Sequence, residues 1–495
     1  MLSLPPLCLL VPVFLPVLSG LALGLWKRFG DGRGRKPFTL SVLVLNLAAL
    51  VPVFFAPDGL RLDLFALSER LPVFFRLDSA GKYFAGVMGL LWAVSGAYSF
   101  EYMEHEGNLR RYYSFYLISL GVLMGLCFAG SIITYYMFYE LMTLLTVPLV
   151  MHEMTKEAVA AGIKYLIYSV LGASLALLGV FLLSPVLDSF DFIPGGHLGG
   201  ESGGTALAAV FLMLVGFGTK AGMFPLHGWL PTAHPVAPAP ASAVLSGIIT
   251  KAGVLGALRV AYYLAGASFL RGTWAHIAWM GLTLFTVFMG SMLAYREDLL
   301  KKRLAWSSVS QVSYVLFGLS TLHPLGLVGA LLHVAAHALI KNTLFMSAGA
   351  IIHRTGKTRV SELEGIGKQM PAVMWCFTFA SVGLVGIPPC LGFVSKWYLA
   401  QGALAMQGLP GFLSWLAPAV LLISALLTAG YLLTVVIRGF FPGENPDGTP
   451  KVFENREPGL TMLVPLTLAA ALSVAFGVFP GALIRLFEGI AASVM

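Results

Sequence analysis

The sequence predicts an all-α integral membrane protein with about 14 transmembrane helices, two of them broken, and two inverted five-helix repeats. The first observation is composition: of 495 residues, 58% are hydrophobic and 11% charged, and the mean hydropathy is +0.84. At about 20 apolar residues per span, this content supplies roughly 14 spans. The other two observations are the spacing of the apolar runs and the placement of charge. A water-soluble enzyme is excluded, because a soluble core of this size needs far fewer apolar residues.

Apolar runs long enough to cross a membrane recur along the whole chain. They fall near 3–26, 38–56, 80–100, 112–130, 132–151, 161–187, 205–224, 241–263, 273–294, 305–321, 325–352, 371–400, 411–437 and 460–487. The polar stretches between them are too short to hold a core of their own, so no soluble domain is predicted. The glycine-rich stretch 188–204 is predicted to be a flexible external loop.

The placement of Lys and Arg between the runs predicts the orientation. No Lys or Arg precedes the first run, whereas Lys27 and Arg28 follow it and Arg33 lies in the same loop. We therefore expect a retained first span with its N-terminus outside, not a cleaved signal peptide. With that start, about nineteen Lys and Arg residues fall in odd-numbered loops and about five in even-numbered loops. Because cytoplasmic loops are rich in these residues, we expect a multi-pass protein of the cell (cytoplasmic) membrane with both termini outside.

The cysteines and the charge distribution argue against several partners and cofactors. Cys8, Cys127, Cys376 and Cys390 lie in apolar runs and form no C-x-x-C pair. Neither a disulfide framework nor a cysteine-held metal or iron–sulfur cluster is therefore expected. The net charge of +8 is spread over short loops, which argues against a nucleic-acid partner. No flavin, nicotinamide, haem, metal or quinone motif is visible, so no cofactor is expected.

Seven ionisable side chains lie inside the predicted spans, where one charge costs on the order of 3 kcal/mol on the insertion scale. They are Glu140 in the fifth span, Lys220 in the seventh, Lys251 in the eighth, His333, His337 and Lys341 in the eleventh, and Lys396 in the twelfth. The three residues of the eleventh span recur at i, i+4 and i+8 and therefore share one helix face.

Each of these residues also has a structural interpretation. A lone histidine in a membrane helix is more often a packed, hydrogen-bonded residue than a relay, and a lysine near a helix end, such as Lys164, snorkels. Glu140 with Lys220 would serve as an ion pair that fixes helix packing. As a set the residues favour proton transfer, because several titratable groups at similar depth would cost more than about 10 kcal/mol without a function.

Two predicted spans are interrupted by proline. Pro225 follows Lys220 in the seventh span, and Pro388 and Pro389 precede Lys396 in the twelfth. Carbonyls freed by proline are tolerated at membrane depth only beside protein or a water-filled cavity. Two broken helices five spans apart predict an internal repeat, and a five-helix unit inserts its second copy inverted; two unrelated kinks would explain neither the spacing nor the lysines. The predicted units are 1–110 (three helices), 111–265 (helices 4–8), 266–440 (helices 9–13) and 441–495 (the last helix).

Three stretches resemble the proton-pumping, antiporter-like membrane subunits. They are KAGMFPLHGWLPTAHPVAPAPASAVLSGIITKAG, REDLLKKRLAWSSVSQVSYVLFGL and LLHVAAHALIKNTLFMSAGAI. That family includes the membrane-arm subunits of respiratory complex I, the D-type subunit of Mrp sodium/proton antiporters, and subunits of membrane-bound hydrogenases and formate hydrogenlyase. The resemblance covers roughly residues 80–440 and implies the family fold of 14 helices with two inverted five-helix repeats.

The resemblance also implies a role for each buried ionisable residue. Glu140 matches the helix-5 glutamate, Lys220 its helix-7 partner, Lys251 the helix-8 lysine, His333, His337 and Lys341 the helix-11 relay, and Lys396 the helix-12 lysine at the exit side. The implied mechanism is charge propagation. Opening the Glu140–Lys220 pair pushes the Lys220 proton laterally through the helix-8 and helix-11 groups to Lys396.

Three functions remain open on the sequence. The first is a proton-translocating, non-redox subunit of a redox-driven complex of the complex I or membrane-bound hydrogenase type. Its partners would be other membrane subunits, homologous antiporter-like ones included, and the lipid bilayer. The second is the D-type subunit of an Mrp antiporter, so the transported ion is H⁺ or Na⁺. The third, a self-sufficient solute carrier or a scaffold, is disfavoured by the transverse row of lysines and by its energetic cost.

Overall fold

A computed structural model describes residues 6–26, 32, 34–443 and 451–495, without the side chain of Glu201. Lys27, Arg28 and Arg33 of the predicted first loop lie outside the described residues. The fold is a bundle of long helices with one small β-hairpin.

The first nine helices carry the N-terminal half of the chain. They are α1 (Leu10–Leu25), α2 (Arg35–Phe55), α3 (Ser79–Tyr102), α4 (Leu109–Phe128), α5 (Ile132–Val150), α6 (Lys156–Leu183), α7 (Gly203–Ala221), α8 (Leu230–Val236) and α9 (Ala239–Ala265). Helix α9 is continuous but contains two π-helical turns, Leu245–Ile249 and Val260–Ala265.

Eight helices follow. They are α10 (Trp274–Arg296), α11 (Leu300–Ser320), α12 (Pro324–Thr355), α13 (Pro371–Val385), α14 (Leu391–Ala405), α15 (Phe412–Phe440), α16 (Leu460–Val478) and α17 (Gly481–Val494). Side chains define many of the starts: the hydroxyl oxygens of Ser131, Thr155 and Thr273 accept hydrogen bonds from backbone amides in the first turns of α5, α6 and α10.

Twelve helices of the described chain are long and apolar enough to cross a membrane, which makes the protein a multi-pass integral membrane protein. The predicted number of about 14 is not confirmed. The two remaining predicted spans are 305–321 and 371–400. The first lies in α11, which begins with three basic residues and is rich in serine. The second is divided between α13 and α14, each of which is short.

A β-hairpin departs from the all-α prediction. Strands β1 (Arg61–Ala66) and β2 (Pro72–Arg76) pair antiparallel, with Arg61 opposite Arg76. The hairpin packs on the start of α5, where the Phe74 amide donates to the Thr134 hydroxyl at 3.2 Å. Short strands of five or six residues leave little trace in a sequence dominated by long apolar runs, although RLDLFA alternates as a half-buried strand does.

The expectation of a flexible loop at 188–204 is wrong for most of its length. The amides of Ile193, Gly195 and His197 donate to carbonyls of the last turn of α9 at 3.0, 3.1 and 2.9 Å. The last carbonyls of a helix have no partner within the helix. The loop supplies those partners and is fixed along the helix end.

Helices α9 and α12 form the centre of the bundle and are almost entirely buried. Helix α3 is bonded along α12: Tyr83 and Tyr98 each donate to an α12 carbonyl at 2.7 Å, and Ser95 bonds the Asn342 side chain. Helix α12 also packs closely on α11 and α14. The candidate site lies along this central layer.

Candidate functional site

Lys220 lies in the last turn of α7 and is fully buried. Its Nζ donates to three hydroxyls: Thr143 Oγ1 at 2.8 Å, Ser169 Oγ at 2.9 Å and Tyr165 Oη at 3.0 Å. The ring of Tyr165 also lies 4.5 Å from the nitrogen, within cation–π range. All three donor positions of the ammonium group are therefore filled by uncharged oxygen atoms.

Glu140 does not contact Lys220 directly. Within the described residues neither side chain forms a salt bridge, so their charged atoms are more than 4.0 Å apart. Glu140 is half-buried on α5, and the Tyr136 hydroxyl donates to its Oε1 at 3.4 Å. The hydroxyl at Lys220 belongs to Thr143, one turn further along the same helix. The predicted pair is open in this structure.

The chain breaks immediately after Lys220. Helix α7 ends at Ala221, and Gly222 adopts a φ of +81°, a region that favours glycine. The indole of Trp229 donates to the Thr219 carbonyl at 2.9 Å and so satisfies one carbonyl of the helix end. Both predicted helix breaks are present, here and between α13 and α14.

Lys251 lies on α9 just after the first π-helical turn. Its Nζ donates to the Ser246 carbonyl at 2.8 Å and is hydrogen-bonded to Nδ1 of His337 on α12. The Ser246 carbonyl also accepts from the Thr250 hydroxyl. Turns of this kind occur often at functional sites, because they free carbonyls for side-chain donors.

The three ionisable residues of α12 lie along the face predicted for them. The rings of His333 and His337 are 6.3 Å apart. Lys341 Nζ donates to the Leu304 carbonyl at 2.9 Å and to the Ser307 hydroxyl of α11. Nε2 of His337 has no partner among the described residues.

His333 connects α12 to two further helices. Its Nε2 lies 3.1 Å from Gln311 Oε1 on α11, and its Nδ1 lies 2.8 Å from Ser395 Oγ on α14. The Ser395 hydroxyl is also 2.9 Å from the Gly392 carbonyl. A hydroxyl has one proton, so it either donates to that carbonyl and accepts from His333, or turns to donate to the ring. The site therefore accommodates an imidazole with one proton or two.

Lys396 lies on α14 beyond the second break. Its Nζ donates to the carbonyls of Leu384 and Val385 at 2.6 and 2.9 Å, the last carbonyls of α13. The Tyr314 ring lies 5.0 Å from this nitrogen and stacks on His333 with 5.5 Å between ring centres. Lys396 is therefore adjacent to the histidine end of the α12 row.

The row consists of two hydrogen-bonded groups. One is Lys220 with its hydroxyls; the other runs from Lys251 through His337 to His333 and Ser395. No hydrogen bond joins the two groups within the described part of the chain. Lys164 belongs to neither group: its Nζ donates to the Thr232 hydroxyl at 3.0 Å.

Sequence reasoning missed the uncharged members of the site. They are Thr143, Tyr165, Ser169, Ser307, Gln311, Tyr314 and Ser395. The serine-rich run SSVSQVS in α11 was the available signal, because a buried helix with so many hydroxyls needs partners for them. His234 on α8 was missed too: it is buried, stacks on Phe345, and both ring nitrogens lack partners among the described residues.

The described residues contain no group of three or more His, Cys, Asp or Glu side chains that could hold a metal ion. The chemistry of the site therefore rests on lysine, histidine, carboxyl and hydroxyl groups. Such groups bind and pass protons.

These features define a class: a multi-pass membrane protein with a buried row of proton-binding groups across broken helices. Residues 129–428 match the family model described as NADH:quinone oxidoreductase/Mrp antiporter, TM. The chain therefore belongs to this family of antiporter-like membrane subunits.

Individual relatives come from three kinds of complex. The chain is 36% identical over 336 residues to NADH-quinone oxidoreductase subunit N of Desulforudis audaxviator (67% of this chain, 65% of the relative). It is 32% identical over 415 residues to Hydrogenase-4 component B of Escherichia coli (81% and 61%). It is 27% identical over 472 residues to the D-type subunit of the Na(+)/H(+) antiporter of Bacillus subtilis (94% and 93%). The matches span less than two thirds of the length of the first two relatives.

Two solved structures share the fold. A chain of the Mrp complex from Dietzia sp. DQ12-45-1b superposes with a TM-score of 0.85 over 99% of this chain and 97% of that one, at 23% identity. A chain of respiratory complex I from Thermus thermophilus gives 0.80 over 98% and 100%, at 21% identity. At these identities the likeness establishes the fold alone.

Proposed function

We propose that this chain is the proton-translocating, antiporter-like membrane subunit of a multisubunit, redox-driven ion pump of the complex I or membrane-bound hydrogenase type. The observation that carries the proposal is the buried row from Lys220 to Lys396, in which each lysine and histidine is held by hydroxyl, carbonyl or imidazole partners. Burying such groups is costly unless they have a function. The chain itself would be a non-redox subunit of the translocase.

The proposed relay begins at Glu140 and Lys220. Contact with the carboxylate stabilises the protonated amine, and separation of the pair removes that stabilisation. Hydroxyls both donate and accept, so the cage around Lys220 can bond the amine with or without its extra proton. The open pair is thus a state from which Lys220 can release a proton.

The proton would then pass to Lys251 and along the α12 row. The Lys251–His337 hydrogen bond carries it from α9 to α12, and His333 exchanges protons through Ser395 toward α14. Lys341 lies on the same row, bonded to α11, and Lys396 is the proposed exit. Passage from the Lys220 group to Lys251 requires a movement or an intervening donor, because no hydrogen bond joins them in the described chain.

We also propose that the two broken helices belong to inverted repeats, helices 4–8 (111–265) and 9–13 (266–440). The breaks share a local pattern: Gly222-x-x-Pro225-x-x-Gly228 in the first and Gly386-x-x-Pro389-x-x-Gly392 in the second. Gly222 and Gly386 both have positive φ, +81° and +93°. The same glycine and proline positions at both breaks support a duplicated unit.

The proposed location is the cell membrane, with both termini outside as the loop charges indicate. The proposed partners are other membrane subunits, homologous antiporter-like ones among them. Relatives named as subunits of NADH-quinone oxidoreductase and Hydrogenase-4 support this assignment.

The second candidate is the D-type subunit of an Mrp sodium/proton antiporter. The observation that favours it is length: the Bacillus subtilis antiporter relative aligns over 94% of this chain and 93% of its own. In that case an ion gradient, not electron transfer, would drive the row, and Na⁺ would be the counter-ion.

The composition of the complex that co-purifies with the chain in mild detergent separates the two candidates. Iron–sulfur or nickel-containing partners support the redox-driven pump. Small membrane subunits alone support the Mrp-type antiporter, with Na⁺ the next ion to test. Purification as a lone, active carrier would contradict both.

A further inference from the structure

Two adjoining cavities open where α17 meets the ends of α2 and α3. The first is polar, about 600 Å³, and its lining includes Arg76, Ser79, Arg485 and Ser493. The second is apolar, about 230 Å³, and its lining includes Phe54, Val87, Leu90, Phe476 and Leu483. Leu486 lines both, so the two cavities are continuous at this residue.

The cavities lie at different depths along α3. Ser79, the first residue of α3, lines the polar cavity, whereas the apolar cavity takes residues from Tyr83 to Leu91 of the same helix. At 1.5 Å per residue, Ser79 and Leu91 are about 18 Å apart along the helix. A polar chamber at the helix ends above an apolar groove within the spans matches the layers of a bilayer.

The carboxylates in and beside the polar cavity are already paired. Asp58 is paired with Lys82 at 2.6 Å, Asp78 with Arg259, and nearby Asp191 with Arg61 at 3.6 Å. Each of these three carboxylates therefore has its own cation.

In contrast, neither Arg76 nor Arg485 has a hydrogen bond or salt bridge to any described residue, and Glu488, one turn along α17, is not bridged to Arg485. Two unpaired guanidinium groups facing one chamber suit a phosphate, which arginine binds through paired N–H donors.

The geometry points to a binding site for an anionic glycerophospholipid, with its phosphate between Arg76 and Arg485 and one acyl chain in the groove beside Val87 and Leu90. The occupant needs both an anionic head and an apolar tail, which a free phosphate or an uncharged lipid lacks. The site lies on the opposite side of α12 from the groups bonded to α11, because Ala335 and Leu339 line the groove. A lipid here would hold α17 against α3 and α12.

The test measures lipid retained by the purified full-length protein. Protein from bilayers of equal phosphatidylglycerol and phosphatidylcholine is released into mild detergent, and bound lipids are counted by native mass spectrometry. We expect selective retention of phosphatidylglycerol, and about a tenfold loss of it in Arg76→Gln/Arg485→Gln, since two charge-assisted contacts are removed. Arg70→Gln, in the turn of the same hairpin, is the matched control and should retain lipid as the wild type does.

A second pair of variants tests the groove. Val87→Trp fills it, and Leu486→Gln, at a partly exposed position, places an amide where the cavities meet. Both should lower phosphatidylglycerol retention with the arginines intact. Equal retention of the two lipids, unchanged retention in the arginine pair, or unchanged retention in both groove variants would overturn the assignment. So would exclusion of lipid from this site by a neighbouring subunit in the intact complex.

Discussion

Lys251 on α9 and His337 on α12 are hydrogen-bonded to each other, Nζ to Nδ1, at the centre of the bundle. Both side chains are buried, and the second nitrogen of His337 has no partner in the described chain. The bond connects one ionisable residue from each half of the chain. It is the direct link in the proposed row between the broken helix that carries Lys220 and the helix that carries the histidines.

The first prediction concerns this bond. Lys251→Ala and His337→Ala should each strongly lower ion translocation by the complex, and the double variant should be no slower than the worse single variant, because both remove the same step. Dye-reported proton uptake by reconstituted vesicles measures the effect. His353→Gln, on the same helix but outside the row, is the control. Multiplying effects in the double variant would show that the two residues act separately.

A second prediction concerns the buried ion pair of Asp78 and Arg259, which joins the start of α3 to α9. Asp78→Asn leaves the Arg259 guanidinium without its counter-charge and should cost about 3 kcal/mol in the free energy of unfolding. Thermal unfolding in detergent at neutral pH measures this. Asp63→Asn, which breaks an exposed pair with Arg61 in the hairpin, should cost less than about 1 kcal/mol. Equal losses would mean that burial adds nothing to the first pair.

The same pair predicts a pH dependence. Burial alone would raise the pKa of the Asp78 carboxyl, but Arg259 and the Gly81 amide outweigh burial and hold this pKa below the ordinary 3.8. A lowered pKa contributes stability above the unfolded value and loses it as the pH falls through the folded value. The stability difference between wild type and Asp78→Asn should therefore be full at neutral pH and shrink below pH 3.8. A difference that grows on acidification would contradict the sign.

A third structural prediction concerns Gly253, which allows α9 to approach the end of α7. A Cβ atom there would lie 2.5 Å from the Phe217 carbonyl oxygen and 2.6 Å from the Ala221 amide nitrogen. Since backbone cannot yield as a flexible side chain does, Gly253→Ala should destabilise the protein by about 1–3 kcal/mol. Thermal unfolding measures the loss. Gly281→Ala on α10, where a Cβ meets nothing within 4 Å, is the matched control and should be neutral or better.

The sequence predicts the membrane class, the helix breaks and the row of ionisable residues because each depends on hydropathy or proline alone. A lysine or glutamate inside an apolar run stands out whatever its neighbours are, as Lys220 and Glu140 do. The single face of His333, His337 and Lys341 follows from helical spacing.

The partners of these residues could not be predicted in the same way. Thr143, Tyr165 and Ser169 bond Lys220 from two other helices, and serine or threonine in a membrane helix has no hydropathy signal of its own. The open Glu140–Lys220 pair depends on which turn of α5 faces α7, which only tertiary packing determines. The π-helical turn before Lys251 and the β-hairpin also result from packing against neighbours.

The most direct test of the account is proton translocation by the complex that contains this chain, reconstituted in vesicles. Lys220→Ala and Glu140→Ala should abolish translocation while leaving membrane insertion intact, because they remove the two groups whose contact drives the relay. Lys164→Ala, a lysine of the same half that bonds Thr232 instead, should do less. Translocation at the wild-type rate in both Lys220→Ala and Glu140→Ala would contradict the central claim.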